Sequence, residues 1–383
     1  MGDPDSADSI IGKLQEIVGS ASVTADPDKR AYYSRDLFHS GAAAALVVAP
    51  GTIAELAQAL ATATAADYAV IARGGGLSYT GGYVPQTEST ILFDTGRLDA
   101  ITEINEHDLF VTAKAGCTWA ALHEALAPKG LRIPSFGPAS GRVSTVGGSL
   151  SQNSMFFGSV RRGSVADSLL SLDVVLADGG ILRTGTGAIE IGTPFGRYNG
   201  PDLSGLFVGD GGAFGVKASA TFRLERAPAG IAFASFEFPA YEPMIAAESE
   251  ILRDGAATEI LGLGAYRAPG FTRPPPPSLH VVTEGYDTED AEKRLVVVRA
   301  VAGQGGQEID PAIPAAIRGD PFGFMQSLLD AEGRLQVWTH GIVPYSRAEA
   351  TYHAVTAYLD SVAETIAAHD IVATISVLPV ADG

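Results

Sequence analysis

The sequence predicts an α+β chain of two domains, and three observations predict it. Short apolar runs of strand length alternate with amphipathic segments of helix length through residues 42–226. Glycine-rich segments recur between them, at 72–82, 134–148 and 209–216. After Pro228 the pattern changes to strands, helices and long loops without such segments, so the boundary is drawn at 227/228. The 383 residues suffice for two ordinary domains, and 46% hydrophobic content rules out general disorder.

The first domain is read in order. Residues 9–19 form a short amphipathic helix closed by Gly19. Tyr32, Tyr33 and Asp36 lie in a lead-in to which no role is assigned. Residues 45–49 are a strand, and Pro50-Gly51 turns into a helix from Thr52 with the box Thr52-x-x-Glu55. Ile53, Leu56 and Leu60 give that helix its apolar stripe. Further strands are read at 68–71, 89–94, 109–115 and 218–224, with a helix at 118–128 ended by Lys129-Gly130. Residues 171–176 and 180–184 form a strand pair turned by Asp178-Gly179.

The loop after the strand at 68–71 organises the chemistry. It runs Ile71-Ala-Arg-Gly-Gly-Gly-Leu-Ser-Tyr-Thr-Gly-Gly82. Three glycines without Cβ atoms let backbone approach a ligand and aim successive N–H groups at it, and Ser78 and Thr80 add hydroxyls. A pyrophosphate cradle and a flexible turn fit this composition equally well. Two familiar phosphate loops fail here. The dinucleotide fingerprint needs a glycine where Tyr79 stands, and the P-loop needs a lysine where Gly82 stands. Downstream, Thr145 followed by Gly147-Gly148 offers a hydroxyl and then amides at a helix start, where the macrodipole favours an anion.

The loop recurs within a larger order: Pro134-Ser-Phe-Gly-Pro-Ala-Ser140, Thr145-Val-Gly-Gly148, Asn153-Ser154, Asp173-Val-Val-Leu-Ala-Asp-Gly179 and Gly209-Asp-Gly-Gly-Ala-Phe-Gly-Val216. That series resembles the FAD-binding domain of the vanillyl-alcohol oxidase / p-cresol methylhydroxylase (PCMH) superfamily, nearest to its FAD-linked 2-hydroxy-acid dehydrogenases, over roughly residues 40–226. The resemblance implies a PCMH-type domain of two α+β subdomains, a cap domain on an antiparallel sheet, and FAD as cofactor. Residue by residue it implies cofactor contacts at Arg73, Gly74, Gly75, Gly76, Leu77 and Ser78. It implies others at Ala139, Ser140, Ser144, Thr145, Gly147, Gly148, Gln152, Asn153 and Ser154, and at Gly211, Gly212, Gly215 and Val216. Relatives that link flavin covalently here carry a histidine where this chain has Leu77, so attachment at this loop is not expected.

The implied activity is oxidation of an alcohol carbon, with a 2-hydroxy acid as the leading substrate and hydride passing to flavin N5. A para-substituted phenol or other alcohol is the alternative substrate, and a flavin-binding protein without catalysis is the alternative class. In Arg161-Arg162-Gly163-Ser164 the phenol-oxidising branch carries an Asp at the position of Ser164, so that branch loses support. Arg162 stands where an aromatic is usual, placing it near the flavin or the substrate anion. The family's late His-x-Gly-Asp-Gly-Asn motif is missing, so the C-terminal tail is either absent from this sequence or dispensable.

In the second domain, strands are read at 231–238, 258–265, 279–283, 334–340 and 371–378. Helices are read at 241–253, 289–301 and from Ser346, with the box Ser346-x-x-Glu349, and Pro274–Pro277 is a surface loop. Arg197, Arg267 and Arg334 are further candidates for substrate charge. Trp338-Thr-His-Gly-Ile-Val-Pro-Tyr345 is the most chemically loaded stretch: His340 is a candidate base or proton relay, with a strand-end structural residue as the competing reading, and Tyr345 is grouped with it. No metal site is read, because the seven histidines never fall at HxxxH or HxH spacing. Cys117 reads as a small buried hydrophobe.

A net charge of −18 argues against nucleic acid or anionic membrane partners. A single cysteine excludes an intrachain disulfide, and no basic region leads into an apolar run at the start, so a cytoplasmic location is expected. The expected partner is a small-molecule substrate; the electron acceptor is left open, as is a homodimer.

Overall fold

The computed structural model describes residues 4–156, 158–189, 192–198, 200–267, 275–323, 337, 339–369 and 371–380. The chain divides into two units. The first comprises the residues up to Ser154 together with Val165–Arg226, and the second comprises Met155–Ser164 with the chain from Ala227 onward. The short excursion 155–164, expected in the first domain, therefore groups with the second.

In the first unit, β1 (Val23–Thr24), β2 (Leu46–Val48), β4 (Thr90–Asp94) and β3 (Ala69–Arg73) form a sheet in that order. β4 runs parallel to both β2 and β3. The helices α1 (Pro4–Val18) and α3 (Ile53–Ala65) belong to the same layer, and Ile10, Leu14, Leu56 and Leu60 bury against Val48, Ile91 and Phe93. The helix α3 starts where its box predicts: Thr52 Oγ1 accepts the Glu55 N–H at 3.1 Å, and Glu55 Oε2 accepts the Gly51 N–H at 2.7 Å. The glycine loop leaves the carboxyl end of β3, the edge at which open parallel sheets hold ligands.

The second sheet of this unit is antiparallel, in the order β5 (Ile101–Asn105), β6 (Phe110–Lys114), β10 (Val216–Arg223), β8 (Leu169–Val175) and β9 (Ile181–Arg183). The turn between β8 and β9 uses Gly179 at φ 83°, and Leu176 N–H donates to Gly180 O. A small pair, β7 (Leu131–Arg132) and β11 (Glu225–Arg226), lies apart. The helix α4 (Trp119–Leu126) is capped by Thr118, and α5 (Val146–Gln152) by Thr145. Trp119 is buried, and its indole N–H donates to Ser149 Oγ at 2.7 Å, joining the two helices.

The lead-in contains a helix that sequence reading left out, α2 (Pro27–Tyr33). Its signal was present: Asp26 caps it by accepting the Lys29 N–H at 2.9 Å, and Pro27 occupies its first position.

The second unit holds an antiparallel sheet in the order β15 (Gln307–Ile309), β12 (Gly230–Glu237), β14 (Ser278–Gly285), β13 (Glu259–Arg267) and β16 (Ala373–Val377). Its core joins Phe236, Phe238, Leu279 and Val281 to Met244 and Ile251 of α7 (Tyr241–Asp254) and to Leu295 and Val298 of α8 (Thr288–Ala302). The other helices are α6 (Ser159–Arg162), α9 (Ala312–Gly319), α10 (Tyr345–Ser361) and α11 (Ala363–Ala368). Val160 of α6 joins this core, which explains the grouping of 155–164. Two local expectations differ. The helix at 346 starts at Tyr345 with Pro344 as cap and no side-chain cap bond, so the box at Ser346 is not formed. Of the strand expected at 334–340, residues 334–336 and 338 lie outside the described residues, and 337, 339 and 340 are not in a strand.

Candidate cofactor cradle

The loop after β3 is built for close backbone approach. A Cβ on Gly74 would stand 2.3 Å from Thr145 Oγ1, and one on Gly75 would stand 2.1 Å from Val143 O. The glycines at these positions let the loop lie directly on the segment 143–145. Two segments singled out in the sequence, about seventy positions apart, are thus in contact. Among the described residues, the backbone N–H groups of Gly74, Gly75, Gly76, Leu77 and Ser78 have no protein acceptor. Five successive half-buried donors without partners are a costly arrangement unless something else accepts from them.

Beside them lies a buried cation. Arg73 is only 9% exposed, its Nε has no hydrogen-bond partner, and no carboxylate among the described residues lies within ion-pair distance of it. A Cβ on Gly76 would meet its guanidinium at 2.1 Å, so the charge sits against the loop. What it has instead of an anion is aromatic faces: its Cζ is 5.6, 4.8 and 5.7 Å from the rings of Tyr32, Tyr33 and Tyr83. Burial pushes the Tyr83 hydroxyl up to about 12, although the nearby Arg73 charge pulls the other way. Asp94, the register partner of Arg73 on β4, and Arg73 itself both act on the Tyr33 hydroxyl, but no ion pair forms with the guanidinium among the described residues, and a desolvated cation so placed complements an anionic ligand.

The segment 139–154 behaves differently from expectation at one point. The helix α5 does not offer its first amides to an anion. Val146 N–H donates to Cys117 O and Gly147 N–H to Ala115 O, both at 2.8 Å, and Gly148 N–H points to the Thr145 cap at 3.3 Å. Gly147 serves packing instead, since a Cβ there would sit 2.8 Å from Ala115 Cβ. Ala139 and Ser140 are buried, and the Ser140 and Ser144 hydroxyls bond each other at 2.6 Å. Gln152 is exposed, and its Oε1 accepts from Thr80 Oγ1 at 3.4 Å, a second tie to the loop. Asn153 adopts φ 47° at the end of α5, and its buried Oδ1 has no partner. Ser154 N–H donates to Ser149 O.

The third segment is tied to the same helix. Gly209 and Gly211 N–H groups donate to Leu150 O and Ser151 O, both at 2.9 Å. Sequence reading took the glycines 211, 212 and 215 with Val216 as the feature here and passed over Asp210. Its carboxylate accepts the Gly212 N–H at 2.9 Å and the Lys217 ammonium at 2.5 Å, with both side chains 2% or less exposed. Burial lowers the Lys217 pKa despite this partner. An aspartate inside a glycine loop, seven positions before a lysine, was the available signal. Val216 begins β10. All three expected cofactor segments therefore converge in the first unit.

The expected catalytic residues belong to the second unit. Arg162 is half-buried in the last turn of α6. His340 is exposed. The Tyr345 hydroxyl donates to Oε1 of Glu248, a carboxyl with no exposure at all, at 3.2 Å. Burial, and then the Glu248 charge, push the Tyr345 pKa well up, so its hydroxyl stays protonated. This ties Tyr345 to the packing of α10 on α7. Arg334 and Trp338 lie outside the described residues, as does the Arg267 side chain. Arg197 pairs with Asp202 at 2.8 Å. Glu242, Glu349 and His353 gather on α7 and α10 with their ligand atoms within 4.8 Å, and His353 Nε2 pairs with Glu242 Oε1 at 2.9 Å.

Residues 44–185 match the FAD binding domain family. This part of the chain is an FAD-binding domain of the PCMH type. The matched range contains the glycine loop, the 139–154 segment and the β8–β9 hairpin. Among characterised relatives, a glycolate oxidase subunit of Bacillus subtilis is 32% identical over 182 residues, 48% of this chain and 37% of that protein. A D-2-hydroxyglutarate dehydrogenase of Xanthomonas citri is 28% identical over 298 residues, 75% of this chain and 61% of that protein. The chain thus spans less than two thirds of the length of each of these relatives. The fold is shared with solved structures of alkyldihydroxyacetonephosphate synthase, at TM-score 0.72 and 17% identity over 92% of this chain and 75% of that one. It is shared also with 4-ethylphenol oxidase from Gulosibacter chungangensis, at TM-score 0.69 and 18% identity over 83% and 69%. Among the described residues no helix is long and apolar enough to cross a membrane.

Proposed function

We propose that the chain is an FAD-dependent oxidoreductase that converts the CH–OH group of a small 2-hydroxy acid to a carbonyl. The observation that carries the FAD part is the run of unpartnered N–H groups from Gly74 to Ser78 beside the buried Arg73, which makes no ion pair with a carboxylate of the described residues. Both features fit a pyrophosphate: successive amide N–H groups donate to its oxygens, and the buried guanidinium supplies charge. The orphaned Asn153 Oδ1 fits a donor on the same cofactor. The 2-hydroxy-acid part is supported by the relatives, which include glycolate, D-lactate and D-2-hydroxyglutarate enzymes.

FAD bound here supplies the two-electron acceptor for the hydride leaving the carbinol carbon. The residues of the chain do the rest. Gly74–Ser78 and Arg73 fix the pyrophosphate and so the register of the cofactor. The 139–154 segment, tied to the loop from Thr80 to Gln152, and the 209–216 segment, tied to the 139–154 segment from Gly211 to Ser151, would line the same cofactor. Arg162 binds the substrate carboxylate, and His340 takes the hydroxyl proton. Oxidation of the CH–OH group gives up one hydride, which bound flavin would take, and one hydroxyl proton, and an external acceptor of two electrons would return the flavin to its oxidised form.

The test is direct. Purified chain is expected to be yellow and to release FAD on denaturation. Under anaerobic conditions, a panel of D- and L-2-hydroxy acids should bleach the visible flavin absorbance with at least one member. A colourless protein that cannot be loaded with FAD refutes the cofactor. A loaded protein bleached by no 2-hydroxy acid refutes the substrate class.

A further inference from the structure

The lead-in before the first parallel strand holds the glycine loop in place through one side chain. The Asp36 carboxylate is completely buried and gathers donors from two parts of the chain. Oδ2 accepts the Gly81 N–H at 2.7 Å, and Oδ1 accepts the Phe38 N–H at 2.9 Å and the His39 N–H at 2.6 Å. The His39 ring Nδ1 lies 3.0 Å from Oδ1. Burial opposes the charge of Asp36, but these backbone N–H groups and His39 outweigh it and hold the carboxyl below its usual range. One residue on, Leu37 N–H donates to Ser78 O at 3.1 Å, and the Phe38 ring lies 6.2 Å from that of Tyr79. The near side of the lead-in is anchored in turn: Ser34 Oγ accepts the Ala44 N–H at 2.8 Å, and Arg30 donates to Ala44 O. Tyr32 and Tyr33, from α2, face Arg73. Residues 30–39 thus grip the loop at Arg73, at Ser78 and at Gly81.

We propose that Asp36 is a positioning residue for the cofactor: its carboxylate clamps the far end of the glycine loop, so that the free N–H groups of Gly74–Ser78 are held in place before FAD arrives. This rests on the FAD reading above. The reasoning is that a loop with several glycines has many backbone states, and each one frozen in advance is a cost that cofactor binding does not have to meet. A carboxylate suits this point, because both of its oxygens face backbone N–H donors, those of Phe38 and His39 on Oδ1 and that of Gly81 on Oδ2. An amide in its place would set an NH2 group against N–H groups.

The experiment uses the full chain, stripped of flavin, as wild type and as Asp36→Asn, with Asp36→Ser as a second variant that keeps a short acceptor should the first not fold. FAD affinity is measured by titration, and amide hydrogen exchange is followed in the flavin-free protein. The expected result is FAD affinity weakened by about tenfold or more, since charged hydrogen bonds are lost. Exchange should quicken at Gly81 and at Leu37–His39, whose amides the clamp holds, while the strand amides of β3 and β4 keep their wild-type rates. FAD affinity within about twofold of wild type overturns the proposal. Exchange that quickens equally in the loop and in β3 and β4 also overturns it, because that reports general destabilisation. Should the wild type take up no FAD, the cofactor reading falls and the loop exchange alone decides the clamp.

Discussion

Replacing Glu248 with Gln should remove a large pH dependence from the stability of the second unit. Glu248 lies on α7 with no exposure. Its Oε1 accepts the Tyr345 hydroxyl, and its Oε2 has no partner. A Cβ on Gly262 of β13 would stand 2.9 Å from that oxygen, so the site is closed by backbone. Burial pushes the carboxyl up from 4.5 to about 8, and the Tyr345 hydrogen bond only partly offsets it. The sign follows from proton counting. Between about pH 4.5 and about pH 8 the unfolded chain has lost this proton and the folded chain retains it, so stability falls as pH rises. It is fully retained below the lower value and levels off above the upper one. At 1.36 kcal/mol per pH unit, the interval from 4.5 to about 8 amounts to about 5 kcal/mol. The assay is denaturant unfolding of wild type and Glu248→Gln at several pH values across that interval. Gln cannot ionise, and any fixed cost of burying its NH2 shifts its curve without tilting it. The difference between the two curves should therefore change by several kcal/mol in favour of Gln from the acid to the alkaline end. Parallel curves would refute the reasoning and show that Glu248 is already ionised in the folded state.

Four further outcomes are expected. Gly75→Ala, whose Cβ would stand 2.1 Å from Val143 O, should displace the loop and lower FAD occupancy of the purified protein severely, which the ratio of flavin to protein absorbance checks. Asp210→Asn leaves Lys217 buried without its counter-charge and should destabilise the first unit by about 3–5 kcal/mol, measured by unfolding. Arg162→Ala should raise KM for a 2-hydroxy acid and leave FAD affinity unchanged; an unchanged KM removes Arg162 from substrate binding. Acid precipitation should leave the flavin colour in the supernatant, because Leu77 offers no atom for attachment at the loop; colour in the pellet would move the attachment to His340 or another cap residue.

What could be seen in the sequence, and what could not, follows from the range of the forces involved. The elements were legible where periodicity and caps are local. The box Thr52-x-x-Glu55 forms as written, and the Asp178-Gly179 turn joins β8 to β9. The three glycine-rich segments were legible as a set, and the structure brings them together. The box at Ser346 fails because two signals compete: Pro344 before Tyr345 starts the helix early, leaving Ser346 inside it. Pairings between distant residues left no local trace. Nothing around Asp36 indicates that it will accept the N–H of Gly81, forty-five positions away.

The anion reading of α5 shows the same limit at finer grain. Thr145-Val-Gly-Gly148 carries every local mark of a phosphate-binding helix start: a hydroxyl, two glycines and a cap. Whether those amides are free depends on what lies opposite, and Ala115 and Cys117, at the exit of β6, take two of them. Gly147 is small for a packing reason, while Gly74 and Gly75 are small so that their loop can lie against 143–145. The same residue type thus serves two ends within one site, and the distinction appears only in which N–H groups are left without a partner. That criterion moves the weight of anion binding from the helix to the loop at 74–78 and to Arg73. It makes a specific demand: Gly147→Ala should act through the Ala115 contact and lower stability, whereas Gly75→Ala should act on FAD. If Gly147→Ala instead left stability unchanged and abolished FAD binding, the helix would be restored as the anion site and the loop reading would fail.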